Sequence, residues 1–225
     1  MKLLSLKITS DFRNLKGVNL QFDPANDTYV IIGNNGTGKT NILEALSSVF
    51  SVLLAHSQDF LFSFVLRYNI GDVEYWVRHK IDTKTTEYKK NNEVVNEAGM
   101  TYPNRIVCNY SGEDTRMWNN YYKKPNEDYM NSVRTAAAPD VLSMVYIDKT
   151  MWKYVLLCML TTRNMNVAFD RFLKEKLHIA SDGINTVEMK LDEAKLRRWR
   201  AENQITLFLN QLRHRLGSNE VLASS

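Results

Sequence analysis

Gly33-Asn34-Asn35-Gly36-Thr37-Gly38-Lys39-Thr40 fits the pattern G-x-x-x-x-G-K-[ST], the spacing of a loop that wraps a polyphosphate. Three of the chain's nine glycines fall in these eight residues. A backbone that curls around phosphate needs dihedrals and a close approach that a β-carbon forbids. The N–H groups of Asn34, Asn35, Gly36, Thr37 and Gly38 then face the anion. Lys39 carries its ammonium to the β- and γ-phosphates, and the Thr40 hydroxyl takes one position on Mg2+. Asn41 sits in the loop-to-helix turn, and the first turn of the following helix adds its positive dipole end. A nucleoside triphosphate with Mg2+ is the expected ligand. The alternative is a plain glycine-rich turn, and the agreement of pattern with flanking context favours the nucleotide.

Those flanks must position the loop. Thr28 to Ile32 is a continuous β-branched and apolar run, as expected of a central strand covered on both faces that delivers the chain into the glycines. After Lys39, Ile42, Leu43, Leu46, Val49, Phe50 and Leu53 follow helical spacing, with Asn41, Glu44, Ser47 and Ser48 on the other side. Upstream, Leu4, Leu6 and Ile8 alternate with polar residues, and Val18, Leu20 and Phe22 repeat that period, predicting two strands. Downstream, Leu61 to Tyr68, Val73 to Ile81, Glu87 to Lys90 and Glu93 to Val95 read as antiparallel strands, the last two flanking an Asn91-Asn92 turn. Arg105 to Tyr110 reads as a further core strand. Residues 113–140 show no sustained period and are expected to form a long surface connection with one short helix at most. Ser143 to Ile147 reads as a short strand, Thr150 to Leu160 and Val167 to Leu177 as helices, Thr186 to Leu191 as an edge strand, and Asp192 to Leu216 as helix.

A chain of 225 residues, 44% hydrophobic, is long enough to fill a core. The net charge of +4 is too mild to mark a dedicated nucleic-acid module. Cys108 and Cys158 stand in apolar contexts and are expected to be buried free thiols in a reducing cytoplasm. His56, His79, His178 and His214 lack the short spacings of a transition-metal site. No leader opens the chain and no apolar run is long enough to span a bilayer, so no membrane partner is expected.

Ile8-Thr9-Ser10-Asp11-Phe12-Arg13-Asn14-Leu15, together with Asn35-Gly36-Thr37-Gly38-Lys39-Thr40-Asn41-Ile42-Leu43-Glu44-Ala45, resembles the RecF/SMC/OLD-like group of ABC-type ATPase heads. Pro103 to Arg116 and Tyr146-Ile147-Asp148-Lys149 are similar to PtuA-type ATPases of Septu and retron-associated antiphage systems. The resemblance implies an α/β P-loop NTPase fold, an ABC-ATPase head with an antiparallel β segment and a helical subdomain. On this reading 1–58 form the strand-strand-loop-helix core, 59–112 the mainly β segment and 113–225 a mainly helical segment. It also implies ATP hydrolysis, a homodimer that sandwiches ATP between its heads, and an effector such as a nuclease gated by that dimer in antiviral defence. Arg13, in the Phe-Arg turn, is implied to reach the nucleotide; a surface salt bridge is its alternative.

Several motifs compete for the remaining roles. Tyr110-Ser111-Gly112-Glu113 is superficially like an ABC signature but enters an irregular loop, so a plain loop is expected. Asp148 ends a Walker B-like run, yet Lys149 follows where a catalytic Glu belongs, and a helix N-cap is the simpler role. Gln58 stands near a helix end where a glutamine contacting Mg2+ could fall, and a lone glutamine there is not assigned to the site. With signature, Walker B Asp-Glu and switch histidine unplaced, the chain reads as the N-terminal part of a longer ATPase or as a degenerate head. DNA binding in repair or recombination is the alternative function, with Lys195, Arg197, Arg198 and Arg200 as candidate phosphate contacts, although interleaved acids fit a solvated helix face. A GTPase is disfavoured by the lack of an Asn-Lys-x-Asp element, and a small-molecule kinase by the long antiparallel segment.

Overall fold

Period-two alternation buries Leu6 and Ile8 completely in β1 (Lys2–Ile8) and leaves Lys7 between them exposed. The structure, a computed structural model, describes residues 1–110, 115–180, 199 and 202–217. It divides into one unit made of 1–107, 114–125 and 143–145, and a second made of 108–113, 126–142 and 146–225.

In the first unit, β1 joins β2 (Asn19–Gln21), β3 (Phe64–Ile70), β4 (Val73–Lys80), β5 (Thr85–Lys90) and β6 (Glu93–Val95) in a sheet of order β2-β1-β3-β4-β5-β6. Every pairing is antiparallel. Turn chemistry sets the register. Gly71, at φ 59°, links β3 to β4, and Asn91 and Asn92, at φ 46° and 68°, form the two-residue turn between β5 and β6. Both edge strands have only three residues, which limits the unpaired backbone offered to other chains.

One face of this sheet, carrying Leu6, Ile8, Phe64, Leu66, Tyr68, Tyr75 and Val77, is buried. Helix α1 (Lys39–Leu54) contributes Val49, Phe50 and Leu53 to the same core, and the Phe50 ring meets Tyr68 at 6.2 Å. A Schellman-type cap ends α1: His56 N donates to Leu53 O and Ser57 N to Val52 O, with His56 at φ 50° in the position glycine usually takes.

The expected central strand is not observed. Thr28 to Ile32 has no strand partner among the described residues, and Val30 and Ile32 are 78% and 89% exposed. β1 has β2 on one side and β3 on the other, so the place beside β1 is taken and this run does not enter the sheet there. The expected split of α1 also differs. Glu44, Ser47 and Ser48 are buried, while Leu43 is 44% exposed. Ser47 Oγ lies 2.9 Å from the buried Tyr122 hydroxyl, and Arg13 and Arg116 reach Glu44, so partners from distant sequence cover the polar side.

Residues 116–135 are helical rather than an irregular connection: a π turn over Trp118–Tyr122 runs directly into α2 (Lys123–Thr135). The wide turn lies just before Pro125, whose missing N–H disrupts regular helical bonding. β7 (Ile106–Asn109) pairs with β8 (Met144–Ile147) in a separate two-stranded sheet. β7 is not a core strand, since Val107 is 55% exposed.

In the second unit, α3 (Trp152–Thr162) and α4 (Val167–Lys176) agree with their expected spans. Asn166 caps α4 by accepting from Ala168 N and Phe169 N, and Arg163 donates twice to Asp170 Oδ1. α5 (Gln204–Gly217) covers the end of the expected 192–216 helix, whose residues 192–198, like the expected edge strand Thr186 to Leu191, lie outside the described residues. Neither cysteine is in a disulfide, and neither is buried: Cys108 is half-buried and Cys158 exposed. No helix among the described residues is long and apolar enough to cross a membrane.

Candidate nucleotide site

The glycine loop is held in shape by its own polar groups and by the turn after β1. Gly36 and Gly38 adopt φ 84° and 93°, in the left-handed region that a side chain resists. Gly38 leads straight into α1, and Ile42 N closes the first helical bond on Gly38 O. Thr37 Oγ1 donates to Asn34 O at 2.8 Å. The Lys39 ammonium curls back to donate to Gly33 O at 2.6 Å and Asn34 O at 2.7 Å. An ammonium has three donors, so two fix this group within the loop and one is left to meet an anion. The Thr40 hydroxyl, at the start of α1, has no hydrogen-bond partner among the described residues.

Asn14 ties the first turn of the chain to the loop. Its Nδ2 donates to Gly36 O at 3.1 Å, and its Oδ1 accepts from Asn41 Nδ2 at 2.7 Å. Asn41 thus serves as a strut of the loop-to-helix junction. A β-carbon on Gly38 would come within 2.7 Å of Asn14 Oδ1, so this glycine is required by proximity as well as by φ. Asn34, Asn35, Gly36, Thr37, Gly38, Lys39, Thr40 and Asn41 therefore form one continuous structure at the N-terminus of α1, where the backbone N–H groups and the helix dipole favour an anion.

Arg13 precedes this strut at φ 55°, an uncommon conformation for a residue with a long side chain. Its turn closes through Leu15 N donating to Phe12 O, and its Nε lies 3.3 Å from Glu44 Oε2. Arg116 approaches the other oxygen, Oε1, at 3.5 Å. Glu44 is 1% exposed and its Oε2 accepts no hydrogen bond, so its charge is balanced mainly by the two guanidinium groups. Beside them, burial raises the pKa of the Tyr121 hydroxyl; Glu44 adds to that rise and Arg13 partly offsets it. Arg13 and Tyr121 border a cavity of about 620 Å³ that Asp11, Asn119 and Asn120 also line. Sequence reasoning missed Glu44 and Arg116. Glu44 looked like one of the polar residues on the outer side of a helix, and no local pattern points to a partner so far along the chain.

Three other candidates have different placements. Gln58 is fully engaged: Nε2 donates to the Tyr88 hydroxyl and Glu97 Oε2, and Oε1 accepts from Thr86 Oγ1, so it knits β5 to the end of α1. Asp148 Oδ1 accepts from Thr150 N, Thr150 Oγ1 and Met151 N, the bonds of a carboxylate at a helix entrance. The Thr150 hydroxyl, then its N–H, hold the Asp148 pKa below the usual carboxylate value. Ser111, Gly112 and Glu113 lie outside the described residues, as do Lys195, Arg197, Arg198 and Arg200.

The chain is similar in sequence to known proteins. The chain is 54% identical over 46 residues to the DNA replication and repair protein RecF of Anaeromyxobacter dehalogenans strain 2CP-1, and equally so to RecF of strain 2CP-C. Each match covers 20% of this chain and 12% of the RecF protein. The family model described as an AAA ATPase domain matches residues 1–210, a span that takes in the organised loop, its asparagine strut and the buried Glu44 with both arginines; the chain belongs to this family of P-loop ATPases.

Proposed function

We propose that this chain is the nucleotide-binding head of a cytoplasmic ATPase that binds MgATP at Gly33 to Thr40, dimerises with ATP held between two heads, and gates a partner effector, such as a nuclease, in antiviral defence. The observation that carries the nucleotide reading is the pre-organised Lys39. Two carbonyl oxygens fix its ammonium at 2.6 and 2.7 Å, and its third donor remains for phosphate. Pre-organisation matters because a group already held in place loses little entropy when the ligand arrives. The unpartnered Thr40 hydroxyl suits a hard cation that prefers oxygen ligands, so the residues fit Mg2+. Bound there, Mg2+ would neutralise charge on the β- and γ-phosphates. The cavity beside Arg13 offers amide groups from Asn119 and Asn120 and the Asp11 carboxylate, chemistry suited to the hydrogen-bonding edge of a base.

Support for the dimer switch and the effector comes from the sequence resemblance to ABC-type heads and antiphage ATPases. MgATP binding and turnover should be compared in the wild-type chain and Lys39→Ala. Losing one charge-assisted contact costs about 1.5–3 kcal/mol, or roughly ten- to hundredfold in affinity. Unchanged binding in Lys39→Ala refutes the site. Light scattering with a slowly hydrolysed ATP analogue tests the dimer, and a mass unaltered by nucleotide refutes the sandwich.

A further inference from the structure

Glu44 has no part in the contacts assigned above to phosphate or Mg2+, yet it belongs to the helix that the glycine loop opens. It follows Thr40 by one helical turn, so the two share a face of α1 at a spacing of about 6 Å along the axis. A carboxylate that close to a bound triphosphate repels it unless cations intervene. Glu44 is 1% exposed and its Oε2 accepts no hydrogen bond, a costly state for a buried charge. An apolar residue of similar volume fills such a place at equal or lower free energy, so stability alone does not account for an acid here. Two cations do intervene. Arg13 meets Oε2 through Nε at 3.3 Å, and Arg116 meets Oε1 through Nη2 at 3.5 Å. A contact made through Nε does not use the two Nη groups, the forked end of a guanidinium that pairs with phosphate. The Arg13 side chain is 39% exposed, so that end is open to a ligand. Its Cζ lies 6.0 Å from the Phe12 ring centre, and its backbone, at φ 55°, leads directly into Asn14, which donates to Gly36 O of the loop.

We propose that Glu44 is a positioning residue for the nucleotide: it holds the Arg13 guanidinium beside the glycine loop so that the Nη groups meet the phosphate chain, while Arg116 steadies the carboxylate from its other oxygen. This role rests on nucleotide binding at the loop and deepens it. A long side chain gathered from solvent loses rotamer freedom when the ligand arrives, whereas one already held on a buried carboxylate does not. Arg13 is thereby prepared in the same manner as Lys39, whose ammonium is fixed by two carbonyl oxygens before any phosphate is bound. The role requires a negative charge at position 44 and a forked cation at position 13.

The test measures, on the full chain, the Kd of a fluorescent, slowly hydrolysed ATP analogue with Mg2+, its competition by inorganic tripolyphosphate, and the KM and kcat for ATP. Glu44→Gln keeps the shape and removes the charge. It is expected to weaken the analogue and tripolyphosphate alike by about tenfold, the scale of one charge-assisted contact, with the loss falling on KM more than on kcat. Arg13→Gln is expected to weaken both at least as much, and the double variant no further than Arg13→Gln alone, because Glu44 acts through Arg13. Arg13→Lys, at a part-exposed position, keeps the test decisive should Glu44→Gln fold poorly. It is expected to lose as much as Arg13→Gln, since an ammonium paired with Glu44 has no second arm for phosphate. Wild-type affinity in Glu44→Gln, additive losses in the double variant, full binding by Arg13→Lys, or a loss for the analogue without one for tripolyphosphate would overturn the proposal. Lys39→Ala separates the two readings. If it loses the analogue while Glu44→Gln and Arg13→Lys bind normally, the loop holds nucleotide and only the role of Glu44 fails; if it binds like wild type, or wild type does not bind, both fall.

Discussion

Gly36 and Gly38 share the left-handed conformation but differ in their surroundings, and that difference can be measured. A β-carbon on Gly36 meets nothing within 4 Å, so Gly36→Ala incurs only the backbone cost of a positive φ, about 1–2 kcal/mol. On Gly38 it would meet Asn14 Oδ1 at 2.7 Å, Leu15 Cδ2 at 3.0 Å and Asn14 Nδ2 at 3.2 Å. To make room, Asn14 must abandon its bonds to Gly36 O and Asn41 Nδ2, each worth about 0.5–1.5 kcal/mol net. The expected cost of Gly38→Ala is therefore about 2–5 kcal/mol. Urea unfolding without nucleotide should rank Gly38→Ala below Gly36→Ala by at least about 1 kcal/mol. Adding Asn14→Ala should be nearly free in the Gly38→Ala background, because the bonds it removes are already broken. Equal costs for the two glycine variants, or simple additivity with Asn14→Ala, would refute the strut.

Other outcomes follow from buried polar groups. His79 is 1% exposed, its Nδ1 meets Thr86 Oγ1 and its Nε2 has no partner, so burial lowers its pKa and keeps the ring neutral. The unfolded chain then binds the extra proton first. Stability is whole above about pH 6.5, falls below it by up to about 1.4 kcal/mol per pH unit, and levels off once the folded form protonates. His79→Phe should flatten the dependence of the urea midpoint on pH between about 7.5 and 5; an identical slope in the variant contradicts the assignment. Asn203 caps α5 by accepting from Ile205 N and Thr206 N, while its Nδ2 donates to Val133 O and Ala136 O at the end of α2. Asn203→Ala should cost about 2–4 kcal/mol, from the lost cap plus carbonyls deprived of a donor. Asn203→Asp should not rescue it, since a carboxylate would face both carbonyls; a thermal melt that shows rescue argues against the tie.

The parts legible in the sequence were those whose causes are local. The glycine loop, the Asn91-Asn92 turn and the alternation of β1 are each written within a few residues, because φ preference, hydrogen bonding and side-chain period act at short range. The strand expected at Thr28 to Ile32 had the right composition, but a strand also needs a neighbour, and composition does not say whether one is present. Glu44 shows the same limit from the other direction. A carboxylate one turn into a helix looks solvated until Arg13 and Arg116, from remote parts of the chain, are found around it. The helix over 116–135 was hidden because a proline and a π turn interrupt the 3.6-residue period on which recognition relies.

α1 starts from left-handed Gly38 and stops at left-handed His56. With a chirality break at each end, neither terminus can add or shed a turn without rebuilding a conformation that its neighbours enforce. The glycine loop meets one end of this helix, and Gln58, tied to Tyr88 and Glu97, lies just beyond the other, so a single element of fixed length spans from the loop to the hairpins.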